Sequence, residues 1–162
     1  VGISGGGCIE VGIPVLIGKY DYTLDDKNRL VVPPKFRKLL EQEKGSHFFL
    51  AKSVDGCLSL FLPSQWESHL MKFDEAAKTH KNPGGIRAAK RELFNTAEEA
   101  LVDEQGRILV PEGLKEQAHL RKDVVISGAG DKAEVWDSQR YEQHMAKQAK
   151  PAFEMIAKGL AF

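Results

Sequence analysis

No stretch of this chain supplies the roughly 20 consecutive apolar residues that a membrane-spanning helix needs. The apolar opening, residues 1–18, carries no basic residue before Lys19, so the positive leader region of a secretory signal is missing. Cysteine is scarce. Cys8 and Cys57 form no Cys-x-x-Cys and no metal-ligand spacing, which reads as a reducing, cytosolic setting. The five histidines (His47, His69, His80, His119, His144) show no ligand spacing either, so a metal site is not expected. Ser127-Gly128-Ala129-Gly130-Asp131 lacks a following Gly-Lys-Ser/Thr and reads as a hairpin turn, not a phosphate loop. Asp25 and Asp26 are adjacent on a turn, where their side chains point apart. With no nucleophile, base or metal constellation, an enzyme is the least favoured class, and neither cofactor nor small-molecule substrate is expected. Net charge is missing too. Twenty-three basic residues balance twenty-three acidic ones, which is mild evidence against wholesale polyanion binding.

What the chain does have is a real core and a repeat. Its 162 residues, 42% apolar and 28% charged, suit one compact domain or two intimate halves. Leu24-Asp25-Asp26-Lys27-Asn28-Arg29-Leu30-Val31-Val32-Pro33 aligns without gaps on Val102-Asp103-Glu104-Gln105-Gly106-Arg107-Ile108-Leu109-Val110-Pro111, 78 residues later. Further on, Trp66-Glu67-Ser68-His69-Leu70 falls on Tyr141-Glu142-Gln143-His144-Met145. Only two copies at so long a period suggest a duplicated half-domain with pseudo-two-fold symmetry, not a solenoid.

Within the first copy, Lys19–Leu24 and Arg29–Val32 read as strands flanking a tight turn, and a hairpin is expected. Asn28 and its counterpart Gly106 are residue types that tolerate the positive φ such a turn needs. Pro33-Pro34 then opens a helix with Phe36, Leu39 and Leu40 on its apolar face and Gly45 as its stop. The second copy repeats that face as Leu114, Gln117 and Ala118. Strand pairs follow at Phe48–Ala51 with Cys57–Leu62, and at Val124–Ser127 with Ala133–Trp136. Ser64 and Glu67 form a capping-box signature for a helix faced by Trp66, Leu70, Phe73 and Ala77. Asn82-Pro83-Gly84-Gly85 breaks the chain before a connecting helix over Ile86–Glu99. A last helix begins near Ser138, kinks or ends before Pro151 and resumes over Phe153–Ile156. Trp66 and Trp136 read as core anchors at equivalent sites, and His69 and His144 as equivalent helix surfaces.

Asp-x-x-x-Arg across a tight turn admits two readings. In the plain one, Asp25 pairs with Arg29 and accepts turn N–H groups, locking the backbone; an exposed pair of this kind contributes little. In the functional one, the Asp orients an Arg whose planar fork suits a phosphate or a guanine edge. Residues 19–38 carry six basic side chains against three acids, and Lys27 sits at the turn tip. The second tip is Glu104-Gln105, so the two copies are expected to differ, the first being the better candidate for nucleic acid.

Beyond these readings, the pattern Gly18-x-Tyr20-x-x-Thr23-Leu24-Asp25-x-Lys27-Asn28-Arg29-x-x-x-Pro33-x-x-Phe36-Arg37 resembles the start of the MraZ family. The resemblance continues through Cys57-Leu58-x-Leu60-Phe61, Pro63-x-x-Trp66, Arg91-x-Leu93-Phe94, the second motif from Asp103 to Pro111, then Gly128 and Glu134-Val135-Trp136. It spans about Leu16 to Met145. The family comprises bacterial transcriptional regulators with two SpoVT/AbrB-like repeats. The resemblance implies an α+β fold of duplicated β-hairpin/helix halves (double-split β-α-β) with swapped, pseudo-symmetric packing. It also implies ring-shaped homo-oligomers and binding of double-stranded DNA at short direct repeats before the division and cell-wall gene cluster. With that resemblance, DNA contact is expected of Lys27, Arg29, Lys35, Arg37 and Arg107, with Asp25 and Asp103 orienting the arginines. Asn28 stands where the family usually has Gly.

The expected layout is a flexible extension over 1–17, repeats over 18–66 and 98–141, a helical connector over 67–97 and a C-terminal helix or tail over 142–162. The extension is unusual for the family and is open to reading as an upstream start. A cytoplasmic, nucleoid-associated regulator is the expectation. A structural or protein-interaction ring remains the main alternative, and an AbrB-like toxin-binding antitoxin a narrower one.

Overall fold

A computed structural model describes residues 14–162. Its core is an antiparallel sheet of six strands in the order β1-β7-β8-β4-β3-β5. These are β1 (Lys19–Thr23), β3 (His47–Lys52), β4 (Leu58–Phe61), β5 (Glu98–Leu101), β7 (Asp123–Gly128) and β8 (Ala133–Asp137). A separate ribbon pairs β2 (Arg29–Val31) with β6 (Arg107–Leu109). The fold is α+β and duplicated, as expected.

The duplication is visible in the pairing. Each copy keeps its own central hairpin, β3–β4 or β7–β8, but lends its first strand to the other copy's hairpin: β1 lies on β7 and β5 lies on β3. The two halves meet at β4 and β8, where Leu58 faces Val135, Ser59 faces Glu134 and Leu60 faces Ala133. The pseudo-two-fold axis passes beside Ser59 and Glu134. One consequence corrects the expected first hairpin. Its turn forms, with the Asn28 N–H donating to the Asp25 carbonyl at 3.0 Å and the Asp25 N–H to the Arg29 carbonyl at 3.1 Å. The ladder does not, because β1 and β2 take partners from the second copy.

The core explains that exchange. Leu30, Val32, Ile108 and Val110 are almost wholly buried and join Phe36, Leu40, Phe48, Leu50, Leu58 and Leu60 in one cluster. Three-residue strands bury too little apolar surface alone, so the two pair with each other and share one hydrophobic cluster with the sheet. Leu16, inside the expected extension, belongs to this cluster and bridges to Gly130. Residues 1–13 lie outside the described residues, and Cys8 with them.

Helices α1 (Pro34–Gln42), α2 (Pro63–Thr79), α3 (Pro83–Thr96), α4 (Glu112–Gln117), α5 (Ser138–His144) and α6 (Lys150–Gly159) complete the fold. Proline opens α1, as expected, with Phe36 and Leu40 buried. The stop differs. Lys44, not Gly45, takes the left-handed conformation (φ 58°), with the Lys44 N–H bonded to the Glu41 carbonyl and the Gly45 N–H to that of Leu40. Gly45 instead permits close approach of Leu40, whose Cδ1 a Cβ there would meet at 2.7 Å. His119 repeats the Lys44 conformation after α4 (φ 53°). Both ends are Schellman turns. In α4 Leu114 is buried and Gln117 exposed, and Ala118, which caps the helix end, is buried.

The expected Ser64/Glu67 box is replaced. Gln65 accepts the Leu62 N–H at 3.0 Å, and Ser64 donates both N–H and Oγ to Glu43. The expected break is present but falls at residues 80–82, and Pro83-Gly84-Gly85 already form the first turn of α3, with Asn82 as its cap, Oδ1 accepting from the Gly85 N–H at 2.9 Å. That helix ends at Thr96, and Glu98–Glu99 belong to β5. At the C-terminal end, a π-helical turn over Met145–Ala149 joins α5 to α6, so the helix carries past Pro151 without stopping. Trp66 and Trp136 are both buried. They are not counterparts, however: Trp136 lies on β8 at the place of Phe61, and Trp66 on α2 corresponds to Tyr141. Among the described residues no helix is long and apolar enough to cross a membrane.

Candidate nucleic-acid interface

The two Asp-x-x-x-Arg turns sit at opposite ends of the β2–β6 ribbon. In the ribbon's register Arg29 faces Leu109, Leu30 faces Ile108, and Val31 faces Arg107. Alternation puts Leu30 and Ile108 into the core and leaves Arg29, Val31, Arg107 and Leu109 on the opposite face. Two further bonds complete the symmetry: the Val32 N–H donates to the Gly106 carbonyl and the Val110 N–H to that of Asn28. The ribbon thus presents both motif arginines on one outward surface.

Each turn is closed by its carboxylate in the same way. Asp25 Oδ1 accepts from the N–H groups of Lys27 (2.9 Å) and Arg29 (2.8 Å), while its Oδ2 takes Arg29 Nε at 2.7 Å. Asp103 does the same for Gln105, Arg107 and Arg107 Nε, at 2.9, 2.9 and 3.0 Å. These donors hold the charged form, first of all the Arg29 backbone N–H, and the Asp25 carboxyl falls to about 2. Asp103 is lowered likewise, led by the Arg107 N–H. The structural reading of the motif is therefore satisfied, and the functional one is compatible with it. Arg29 spends only Nε on its partner, and among the described residues no acceptor bonds its Nη atoms.

The expected site residues separate into two groups. Lys27, at the turn tip two residues before half-buried Arg29, is exposed, and so is Lys35 at the start of α1, beyond the other end of β2. Arg37 turns the other way: its Nε donates to the Val32 carbonyl at 3.0 Å, and its guanidinium lies against Gly106. Arg107 is bound to Asp103 and also approaches Asp25 Oδ2, at 3.9 Å from Nη1. The tip of the second copy, Glu104-Gln105, is exposed and lacks a base.

A side-chain link between Asn28 and Lys115 at this surface escaped the sequence reading. Asn28 (φ 60°) does more than tolerate the turn: its Nδ2 donates to Glu112 Oε2 and its Oδ1 accepts from Lys115 Nζ, both at 2.9 Å. Lys115 occupies the position in the second copy that Arg37 holds in the first; Lys115 bonds to the opposite copy's turn at Asn28, and Arg37 packs against the opposite copy's turn at Gly106. The gapless alignment of the copies carried that signal.

With this geometry in place, comparison with known proteins is direct. A family model described as "MraZ protein, putative antitoxin-like" matches residues 15–84 and 93–161, one segment for each copy. The chain belongs to the MraZ family. It is 36% identical over 146 residues to the Transcriptional regulator MraZ of Caldanaerobacter subterraneus subsp. tengcongensis, spanning 90% of this chain and 96% of that one. The MraZ of Heliobacterium modesticaldum is 38% identical over 146 residues with the same coverage. That of Oenococcus oeni is 38% identical over 149 residues, again covering 90% and 96%. All three relatives are named as regulators of transcription and none as an enzyme.

Proposed function

We propose that this MraZ-family chain is a sequence-specific DNA-binding regulator of transcription that works as a homo-oligomeric ring, with no cofactor or small-molecule substrate. The observation that carries the reading is the ribbon surface. A carboxylate fixes Arg29 by its Nε and leaves its planar Nη edge available, on the same turn as exposed Lys27, while exposed Lys35 opens α1 beyond the far end of β2. Such a fork reads a guanine edge or clamps a phosphate, while the lysines position the protein on the backbone. Arg37, being engaged with the ribbon, supports the turn and adds positive potential. Arg107 contributes from the second copy, whose acidic tip makes it the weaker contact. The names of the relatives support regulation of transcription. The exchange of first strands between the copies supports a SpoVT/AbrB-like, double-split arrangement.

One such surface on a chain of zero net charge binds DNA weakly. A ring presents several at once, and linked weak sites multiply in affinity where their spacing matches the target. Short direct repeats in the promoter of the division and cell-wall gene cluster fit that geometry, and the site of action is then the cytoplasm and nucleoid. The test is a footprint on DNA upstream of the chain's own gene. Protection at short, regularly repeated sequences is expected, and uniform cleavage contradicts the reading.

One observation favours a second reading, an interaction ring without specific DNA binding. Leu109, directly opposite Arg29 on the outer face, is 57% exposed and would suit a protein partner.

A further inference from the structure

We infer that Leu109 sets sequence specificity at the ribbon: its side chain seats against the 5-methyl group of a thymine adjoining the base that Arg29 contacts. The inference rests on the DNA reading proposed above and names the residue that selects the neighbouring base.

A single exposed leucine is ordinary on a protein surface. Its place makes this one informative. The Val110 N–H donates to the Asn28 carbonyl and the Val32 N–H to that of Gly106, which fixes the bonded pairs of the ribbon. Bonded and non-bonded pairs alternate along an antiparallel ladder, so Arg29–Leu109 and Val31–Arg107 are non-bonded pairs. At such pairs the side chains on a shared face stand closest, with Cβ atoms roughly 5 Å apart. Leu109 is thus the direct cross-strand neighbour of the arginine that Asp25 anchors through Nε.

A two-stranded ribbon fits the major groove of B-form DNA, where each base pair shows a different edge. An arginine fork there takes the two acceptors of guanine, and the apolar group on display is the thymine methyl. Successive base pairs lie about 3.4 Å apart. An arginine and an apolar side chain separated by roughly 5 Å therefore fall on neighbouring base pairs. Leu109 can neither donate nor accept a hydrogen bond, so a phosphate or a guanine edge offers it nothing. The thymine methyl is the group that matches it.

The pseudo-symmetric pair supplies a contrast. Val31 faces Arg107 as Leu109 faces Arg29, but Val31 is shorter and half-buried, whereas Leu109 is 57% exposed. Arg107 follows the tip Glu104-Gln105, and Arg29 follows Lys27. The basic tip, an Nη edge with no acceptor among the described residues and the exposed apolar side chain therefore converge at one end of the ribbon.

The test replaces thymines by deoxyuridine, one at a time, in a duplex that footprinting shows to be protected. The exchange removes the methyl group and keeps every hydrogen-bonding edge. Anisotropy titrations compare full-length wild type, Leu109→Ala and Leu109→Met, each checked for folding by circular dichroism. Wild type is expected to bind about four-fold more weakly when one particular thymine loses its methyl, the scale of a single methyl group leaving an apolar contact. Leu109→Ala is expected to lose at least about as much on the thymine duplex, with no further loss on the deoxyuridine one. Its salt slope should match that of wild type, because no phosphate contact has gone. Leu109→Met, apolar and of similar reach, is expected to keep the discrimination. An effect of the methyl on DNA shape alone would persist in Leu109→Ala. A wild type indifferent to every thymine methyl, or a Leu109→Ala that discriminates as wild type does, overturns the inference, leaves the DNA reading standing and returns Leu109 to a protein partner. A wild type that protects no site overturns both.

Discussion

Arg107 of the second copy reaches across the ribbon toward Asp25 of the first, Nη1 to Oδ2 at 3.9 Å, while Arg29 holds that same oxygen from its own strand at 2.7 Å. One carboxylate therefore faces both motif arginines, and the two turns form a single electrostatic unit. Arg107 has a second carboxylate partner, Asp103, at 3.0 Å.

It follows that Arg107→Ala should act more on the ribbon than on DNA contact. We expect Tm to fall by about 2–4 °C, the scale of one lost interaction in a domain of this size, with DNA affinity changed less than by Arg29→Ala. Thermal unfolding and a DNA titration on the same sample separate the two effects. An unchanged Tm with abolished DNA binding would reverse the roles.

Acid should loosen both turns. Asp25 titrates near 2 in the folded chain and near the ordinary value of about 3.9 when unfolded. A lowered folded value means the stabilisation is complete above pH about 4 and is lost as pH falls through about 2. Asp103 is shifted the same way. The urea midpoint of the wild type should exceed that of Asp25→Asn at pH 6, and the gap should narrow as pH is lowered from 4 to 2. A gap that does not change with pH would remove the carboxylate from the account.

Two glycines in the second copy should respond oppositely to alanine. Gly106 has φ 77°, and a Cβ there would lie 2.6 Å from the Arg37 guanidinium carbon. Gly106→Ala should cost about 1–3 kcal/mol, the range for a non-glycine residue forced into such a conformation. Gly113, inside α4, has nothing within 4 Å of its Cβ position, and Gly113→Ala should be neutral or stabilise by up to about 1 kcal/mol. Chemical denaturation of the two variants checks both signs.

The sequence told most where a local rule coincided with the tertiary one. The turn geometry at Asn28 and Gly106, the proline-opened α1, the hairpins β3–β4 and β7–β8 and the duplication itself were all legible. Strand partners were not. A tight turn between Thr23 and Arg29 dictates the local backbone, but which strand pairs with which depends on where Leu30 and Ile108 can be buried together. Capping failed at Ser64 for a related reason: Glu43, 21 residues away, captures that hydroxyl, and Gln65 takes over the cap. At the candidate site Asp25, Arg29 and Lys27 were legible from the motif. The inward set of Arg37 and the links of Asn28 to Glu112 and Lys115 were not, because each depends on the opposite copy's turn being brought alongside.

The central claim is that the first turn reads DNA through Arg29. Fluorescence anisotropy of wild type and Arg29→Ala on DNA from upstream of the chain's own gene, over a salt series, tests it most directly. The account predicts specific binding by the wild type, with log K falling against log salt by about 0.9 per neutralised phosphate, and its loss in a variant that is still folded. Equal binding by the two proteins, or wild-type binding no tighter than to scrambled DNA, would contradict it and leave Asp25 and Arg29 as a purely structural pair.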